Sequence, residues 1–211
     1  MNPKHNVKVP EYKCNEYLIV LNPNEDISDK IISAKKEISE KFKVIMPFLK
    51  PQIMLVRFIH FQMIEERLLT QLKNISNGYK PFQVKLKDYG SLPSHSIFIN
   101  VESKQQIQNL VTELKSIRGL ITFDKENKPH FIDDFYLLLV GKLLPWQYEK
   151  AWLEYNHRYF TASFIAGSFI LLKRDLENKG NGLLPAGSYR LVQRFEFMNS
   201  RFITQQSQLF M

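Results

Sequence analysis

The stretch KPQIMLVRF, residues 50–58, decides the fold. A Lys-Pro pair leads into a short apolar run. Strict alternation along it predicts Gln52, Met54, Val56 and Phe58 on one face, with Ile53, Leu55 and Arg57 on the other. Both faces are largely apolar, as in a strand covered on both sides. Its first side chain after the proline is nevertheless an amide.

Working outward, YLIVL (17–21) reads as a strand turned by Asn22-Pro23-Asn24. Ile27, Ile31, Ile38 and Phe42 then make one stripe of an amphipathic helix ending near residue 43. After the 51–58 strand, Ile64, Leu68, Leu72 and Ile75 recur at helical spacing until Asn77-Gly78. FQVKLKD (82–88) alternates as a half-buried strand, and SIFINV (96–101) is another. Ser103 and Gln106 form a capping-box pattern ahead of Ile107, Leu110, Val111, Leu114 and Ile117, with Gly119 as the expected stop. Residues 120–134 read as a hairpin or loop. FYLLLVGKLL (135–144) is an apolar strand, and Pro145 opens a helix bearing Tyr148, Trp152 and Tyr155, where core packing is expected over base stacking. SFIAGSFILLKR (163–174) and SYRLVQRFEFM (188–198) read as two long strands joined by the loop NKGNGLLPAG (178–187).

This order lacks the regular beat of a parallel sheet and predicts an α+β fold with mainly antiparallel sheets. A strand, a helix and two strands after residue 51 recur after residue 135. The echo predicts two lobes around a cleft, related by a pseudo-two-fold, with 51–58 and 135–144 in equivalent places and helices outside. Residues 1–199 are expected to form this single two-lobed domain, and 200–211 a polar tail.

Composition narrows the function classes. The 211 residues are 44% apolar, with 16 Phe and 9 Tyr for a core. The lone cysteine, Cys14, excludes an intrachain disulfide and a Cys-based zinc site. The N-terminal MNPKHNVKVPEYK is polar, and no apolar run approaches the roughly 20 residues that span a bilayer. A cytoplasmic protein without membrane association is expected. The net charge of +8 suits a polyanion such as RNA, DNA or a nucleotide, but it is spread along the chain.

KPQIMLVRF resembles the KPHxTLxxF strand of the 2H phosphoesterase superfamily, in its 2′-5′ RNA ligase-like branch. LLPWQYEKAWLEYNHRYFTASFIAGSFILLKR (143–174) and SYRLVQRFEFMN (188–199) look like the segments after that family's second motif strand. The resemblance covers roughly residues 15–199. It implies two HxT motifs facing each other across the cleft and metal-free chemistry on 2′,3′-cyclic phosphates or 2′-5′ phosphodiesters. Two imidazoles suit that work, because a pKa near 6.5 lets one be base and the other acid.

Carried over, the first HxT falls on Gln52 and Met54 and the second on Tyr136 and Leu138. None of the four keeps its chemistry. A glutamine exchanges no proton at neutral pH, and a tyrosine, with a pKa near 10, is a poor base. Neither methionine nor leucine offers a hydroxyl. The sequence therefore predicts a catalytically degenerate cleft with no cofactor, still able to hold a nucleotide or RNA end. Its candidate ligand contacts are Gln52, Tyr136, His95 and Lys142. Two alternatives stay open: an active phosphodiesterase using Tyr136, His95 or His130, and an interaction protein whose cleft is filled by its own side chains.

Each candidate has a plainer reading. A second register through PHFI (129–132) would make His130 the surviving histidine, where a loop or strand-edge histidine is expected instead. His95 reads equally as a turn residue, Lys142 as a solvated strand end, and Arg57 as a structural residue facing away from Gln52. His60 and His157 read as surface or capping residues, and no histidine pair has ligand spacing for a metal. QSQLF (206–210), Gln206 to Phe210, resembles a peptide that docks on sliding clamps, against the simpler reading of a packed tail.

Overall fold

The structure, a computed structural model, describes residues 13–46, 50–93, 95–178 and 182–198. The tail carrying Gln206 to Phe210 lies outside the described residues. Strand β1 (Cys14–Leu21) is followed by helix α1 (Glu25–Phe42), β2 (Ile53–Phe61), α2 (Glu65–Asn77), β3 (Phe82–Leu92), β4 (Ser96–Val101) and α3 (Lys104–Leu114). A one-turn helix α4 (Arg118–Ile121), the two-residue strand β5 (His130–Phe131), β6 (Tyr136–Val140), α5 (Pro145–Tyr155), β7 (Thr161–Ala166), β8 (Ser168–Asn178) and β9 (Leu183–Glu196) complete it. The strands make a five-stranded sheet, β5-β2-β1-β8-β9, and a four-stranded sheet, β6-β4-β3-β7. Every pairing is antiparallel.

The helices form where the periodicity predicts them. In α1 the apolar stripe Ile27, Ile31, Ile38 and Phe42 is buried. The side chain of Asn24 caps its start by accepting the Ile27 N–H at 3.3 Å, and Lys43 closes it in the left-handed conformation. Gln147 ties α5 to that end. Its Oε1 accepts the Leu144 N–H at 3.0 Å, and its Nε2 donates to the carbonyls of Phe42 and Lys43 at 3.2 and 3.1 Å. The carbonyls of the last residue of α1 and of its cap thereby gain a donor. Tyr155 is fully buried, Tyr148 and Trp152 pack against the core, and Trp146 is exposed.

Three local expectations are corrected. Ser103 makes no side-chain cap to α3; its Oγ accepts the Lys85 N–H at 2.8 Å and so serves the neighbouring strand. Gly119 does not stop the helix but lies inside α4. SFIAGSFILLKR is not one strand. It breaks at Gly167, where the chain leaves the four-stranded sheet and enters the five-stranded one, so periodicity continues while the partner changes.

Strands β2 and β6 occupy matching places. Each lies beside a strand that precedes it with a helix between, β2 beside β1 after α1, and β6 beside β4 after α3, α4 and the short β5 that pairs with β2. Each also carries one extra residue. In β2, Met54 pairs with Val20 and Val56 with Ile19, leaving Leu55 unpaired. In β6, Leu138 pairs with Phe98 and Val140 with Ile97, leaving Leu139 unpaired. Such bulges re-aim the side chains beyond them. Leu55 and Val56 both enter the core, as do Leu139 and Val140.

The β2 bulge overturns the alternation expected for Arg57. Paired residues share a sheet face, so Met54 lies with Val20, and Arg57, paired with Leu18, lies on that same face. Arg57 is therefore on the Met54 side and not turned away from it.

Candidate functional site

The cleft begins where β2 and β6 come into contact. Gln52, just ahead of β2, and Leu138, on β6, line one cavity of about 420 Å³. Lys35 from α1, Lys50 and Lys142 also line it, and its described lining includes no carboxylate. Burial holds the Lys35 ammonium below the usual lysine range. Lys142 reaches the rim on a backbone with φ of 57°. A hollow lined by three lysines suits an anion, and Leu138 and Val140 make its wall apolar.

A second cavity of about 650 Å³ shares Lys50 and is lined also by Asn22, Ser28, Ser168 and Arg194 and by three carboxylates, Glu25, Asp29 and Glu196. The Oδ1 of Asn22 is buried without a hydrogen-bond partner among the described residues. An unmet acceptor beside a cavity suits a ligand N–H or O–H. The sequence marks Asn22 only as a turn residue. Nothing in an Asn-Pro-Asn turn signals that its first member lines a cavity.

The other candidates disperse. Tyr136 pairs with Asn100 and packs on the Phe98 ring at 4.6 Å, outside the lining of the 420 Å³ cavity. His95 is exposed at the β3–β4 turn, with its Nδ1 3.0 Å from the Pro93 carbonyl. His130 is an exposed residue of edge strand β5, directly paired with Arg57. His60 is half-buried in β2, its Nδ1 accepting the Phe61 N–H at 2.9 Å and its ring packed edge-on to Phe123. Among the described residues no group of three His, Cys, Asp or Glu side chains is placed to hold a metal, and no helix is long and apolar enough to cross a membrane.

The open face of the five-stranded sheet continues from Met54. Leu18, Val20 and Ile170 form a small buried cluster there, with Met54, Leu172 and Tyr189 packed on it. Beyond it lies Glu16, whose side chain is only 1% exposed. Arg57 and Arg174 each donate through Nε to a different oxygen of this carboxylate, and the Tyr189 hydroxyl donates at 2.6 Å. Burial alone would raise the Glu16 pKa, but the hydrogen bonds from Tyr189, Arg174 and Arg57 outweigh it and hold the carboxyl below its ordinary value. Burial and the Glu16 contact push the Tyr189 phenol upward, so it keeps its proton. The sequence hid this cluster because it depends on a bulge and on strands far apart in the chain.

No protein-family profile matches the sequence, and no curated protein matches it by sequence. Solved structures do match. The Thermus thermophilus protein TT0787 aligns at TM-score 0.56 and 16% identity, over 87% of this chain and 98% of its own. Escherichia coli LigT complexed with 3′-AMP aligns at TM-score 0.56 and 12% identity, over 88% and 98%. LigT complexed with ATP gives 0.55 and 13% over the same shares. The chain has the LigT fold. At these identities the likeness concerns architecture: two antiparallel sheets with helices, as in the 2H phosphoesterases.

Proposed function

We propose that this LigT-like chain binds a nucleotide or RNA end in its cleft and does not turn it over. The observation that carries the reading is the 420 Å³ cavity, where Lys35, Lys50 and Lys142 share the lining with Gln52 and no carboxylate is in the described lining. Phosphate would sit among the lysines, and the apolar wall of Leu138 and Val140 would take a base. LigT itself has been solved with 3′-AMP, with ATP and with phosphate, which supports looking for the same class of ligand here.

Loss of turnover follows from side-chain chemistry. With Gln52 and Tyr136 in the two histidine positions, neither proton transfer has a suitable group at neutral pH, and each such group contributes roughly 10²–10⁴ in rate. Tyr136 is occupied with Phe98 and does not line the cavity, which argues against its acting as a replacement base. The matched bulges after Met54 and after Leu138 support aligning the second motif on Tyr136 and Leu138.

Two measurements on the whole chain test this. Calorimetric titration should show 3′-AMP binding that weakens about tenfold in Lys142→Glu. Assays on 2′,3′-cyclic nucleotides and a 2′-5′ dinucleotide with chelator present, followed by ³¹P NMR, should show no turnover. Turnover abolished by Tyr136→Phe would overturn the non-catalytic half of the proposal, and absent 3′-AMP binding would overturn the other.

A further inference from the structure

The Glu16 cluster has a property that the cleft reading leaves unused. Its two guanidinium groups and one carboxylate leave a net charge of +1 on the open face of the five-stranded sheet. Both arginines meet Glu16 through Nε. Among the described residues no hydrogen bond is found to the Nη atoms of either. Tyr189 stacks under the Arg174 guanidinium at 4.5 Å and fixes its plane. The Arg57 side chain is 52% exposed and that of Arg174 24% exposed, above a carboxylate that is 1% exposed. This is a pre-oriented pair of forks: one edge is pinned inside, and the other is offered to solvent. Guanidinium forks match phosphate oxygens.

We propose that Arg57 and Arg174 form a second phosphate site, and that the ligand spanning it and the lysine-lined cavity is a single-stranded oligonucleotide. The inference rests on the nucleotide reading of the cleft and extends it along the sheet. Arg57 stands two pleat steps from Met54 on the shared face, about 7 Å, and about 13 Å from Gln52, at roughly 3.3 Å per residue. A lone phosphate at Gln52 does not reach that far. A phosphodiester chain does. Between the two charged ends lie the partly exposed side chains of Met54, Leu172 and Tyr189, packed over buried Leu18, Val20 and Ile170, a narrow apolar surface on which bases can lie. The β2 bulge is what makes this path continuous, because it brings Arg57 onto the Met54 face.

The test compares a 3′-phosphorylated pentaribonucleotide, by fluorescence anisotropy, with 3′-AMP, by calorimetry. Arg57→Gln should weaken the pentanucleotide about tenfold. It should also lower the salt slope of binding by about 0.7, the share of one single-strand phosphate contact, and leave 3′-AMP affinity unchanged. Leu191→Glu, at an exposed residue paired with Leu172 and outside the Glu16 cluster, should also weaken only the pentanucleotide. A merely structural cluster would lower the urea midpoint of Arg57→Gln yet leave the affinity and salt slope of both variants unchanged, which overturns the arginine site alone. If the wild-type chain binds neither ligand, the nucleotide reading falls and this inference with it.

Discussion

Strands β2 and β6 share a backbone device and differ in what they do with it. Each runs from an apolar residue, Met54 or Leu138, into a single unpaired leucine, Leu55 or Leu139, and then into a buried valine. In β2 the chain continues to Phe61, and the bulge delivers Arg57 to the open face while Phe58 enters the core. In β6 the strand ends at Val140, and the next residues, Gly141 and Lys142, turn at the cavity rim. One strand therefore carries charge along its sheet, while the other contributes an apolar wall, Leu138, and an aromatic stack, Tyr136 on Phe98. The difference separates two things that a motif usually joins. The backbone of the two strands is alike, while the side chains on it differ: Gln52 and Met54 in one, Tyr136 and Leu138 in the other.

The sharpest way to exploit the shared backbone is to restore the side chains. The quadruple variant Gln52→His, Met54→Thr, Tyr136→His and Leu138→Thr should gain cyclic phosphodiesterase activity, by about 10⁴ over the wild-type background if each imidazole contributes near the low end of its usual range. A folded variant, by circular dichroism, without turnover would mean that the matched bulges do not bring the two positions into register across the cleft.

Deleting the bulges breaks the comparison next. Removing Leu55 would close the bulge into regular register: Met54 and Val56 keep Val20 and Ile19, Arg57 keeps Leu18, and Phe58 keeps its stack on Tyr17 at 5.0 Å. What is lost is one fully buried leucine, and the same holds for Leu139 in β6. Each deletion should therefore cost about 2–5 kcal/mol. Urea unfolding of the pair checks this; a far larger loss for Leu55 would show that the bulge itself, and not its packed volume, holds β2.

The smallest expected effect tests the charge carried by β2. Glu16→Gln removes the charge shared by two arginines and leaves one acceptor oxygen where the carboxylate has two. Because Arg57 can turn to water, the loss should sit near the lower end of the roughly 3–5 kcal/mol typical of breaking a buried pair. The pH dependence has a defined sign. A carboxyl held below its unfolded value of about 4.3 contributes stability that is present above that pH and is lost as pH falls through the folded value. The Gln variant should therefore lose part of the wild-type fall in stability below about pH 4, measured by urea midpoint against pH.

Much of this fold is legible because apolar periodicity and punctuation agree. The stripe of α1, the Asn77-Gly78 stop, the strand SIFINV and the proline opening of α5 all lie where the residues place them. What escapes has a common cause. A bulge changes which face a residue takes without changing its neighbours in sequence, so Arg57 reads as facing away. A change of sheet partner at Gly167 interrupts pairing but not apolarity, so β7 and β8 read as one strand. Glu16 looks like an ordinary polar position in CNEYLIVL; its partners come from β2, β8 and β9, and no local pattern announces them. The four motif positions come from resemblance, whereas Lys35, Lys50 and Asn22 need the fold to bring them to the cavities.

Gly167 has a mechanical consequence as well. It is the single residue between β7 in one sheet and β8 in the other, and its carbonyl accepts the Phe197 N–H at 2.8 Å. Adjacent Cα atoms are about 3.8 Å apart, so the sheets cannot separate at this point. Gly167 also lines the 650 Å³ cavity. Any widening of the cleft to admit a long strand must then behave like a book opening about its spine, with the smallest displacement beside Gly167 and the largest at the opposite margin.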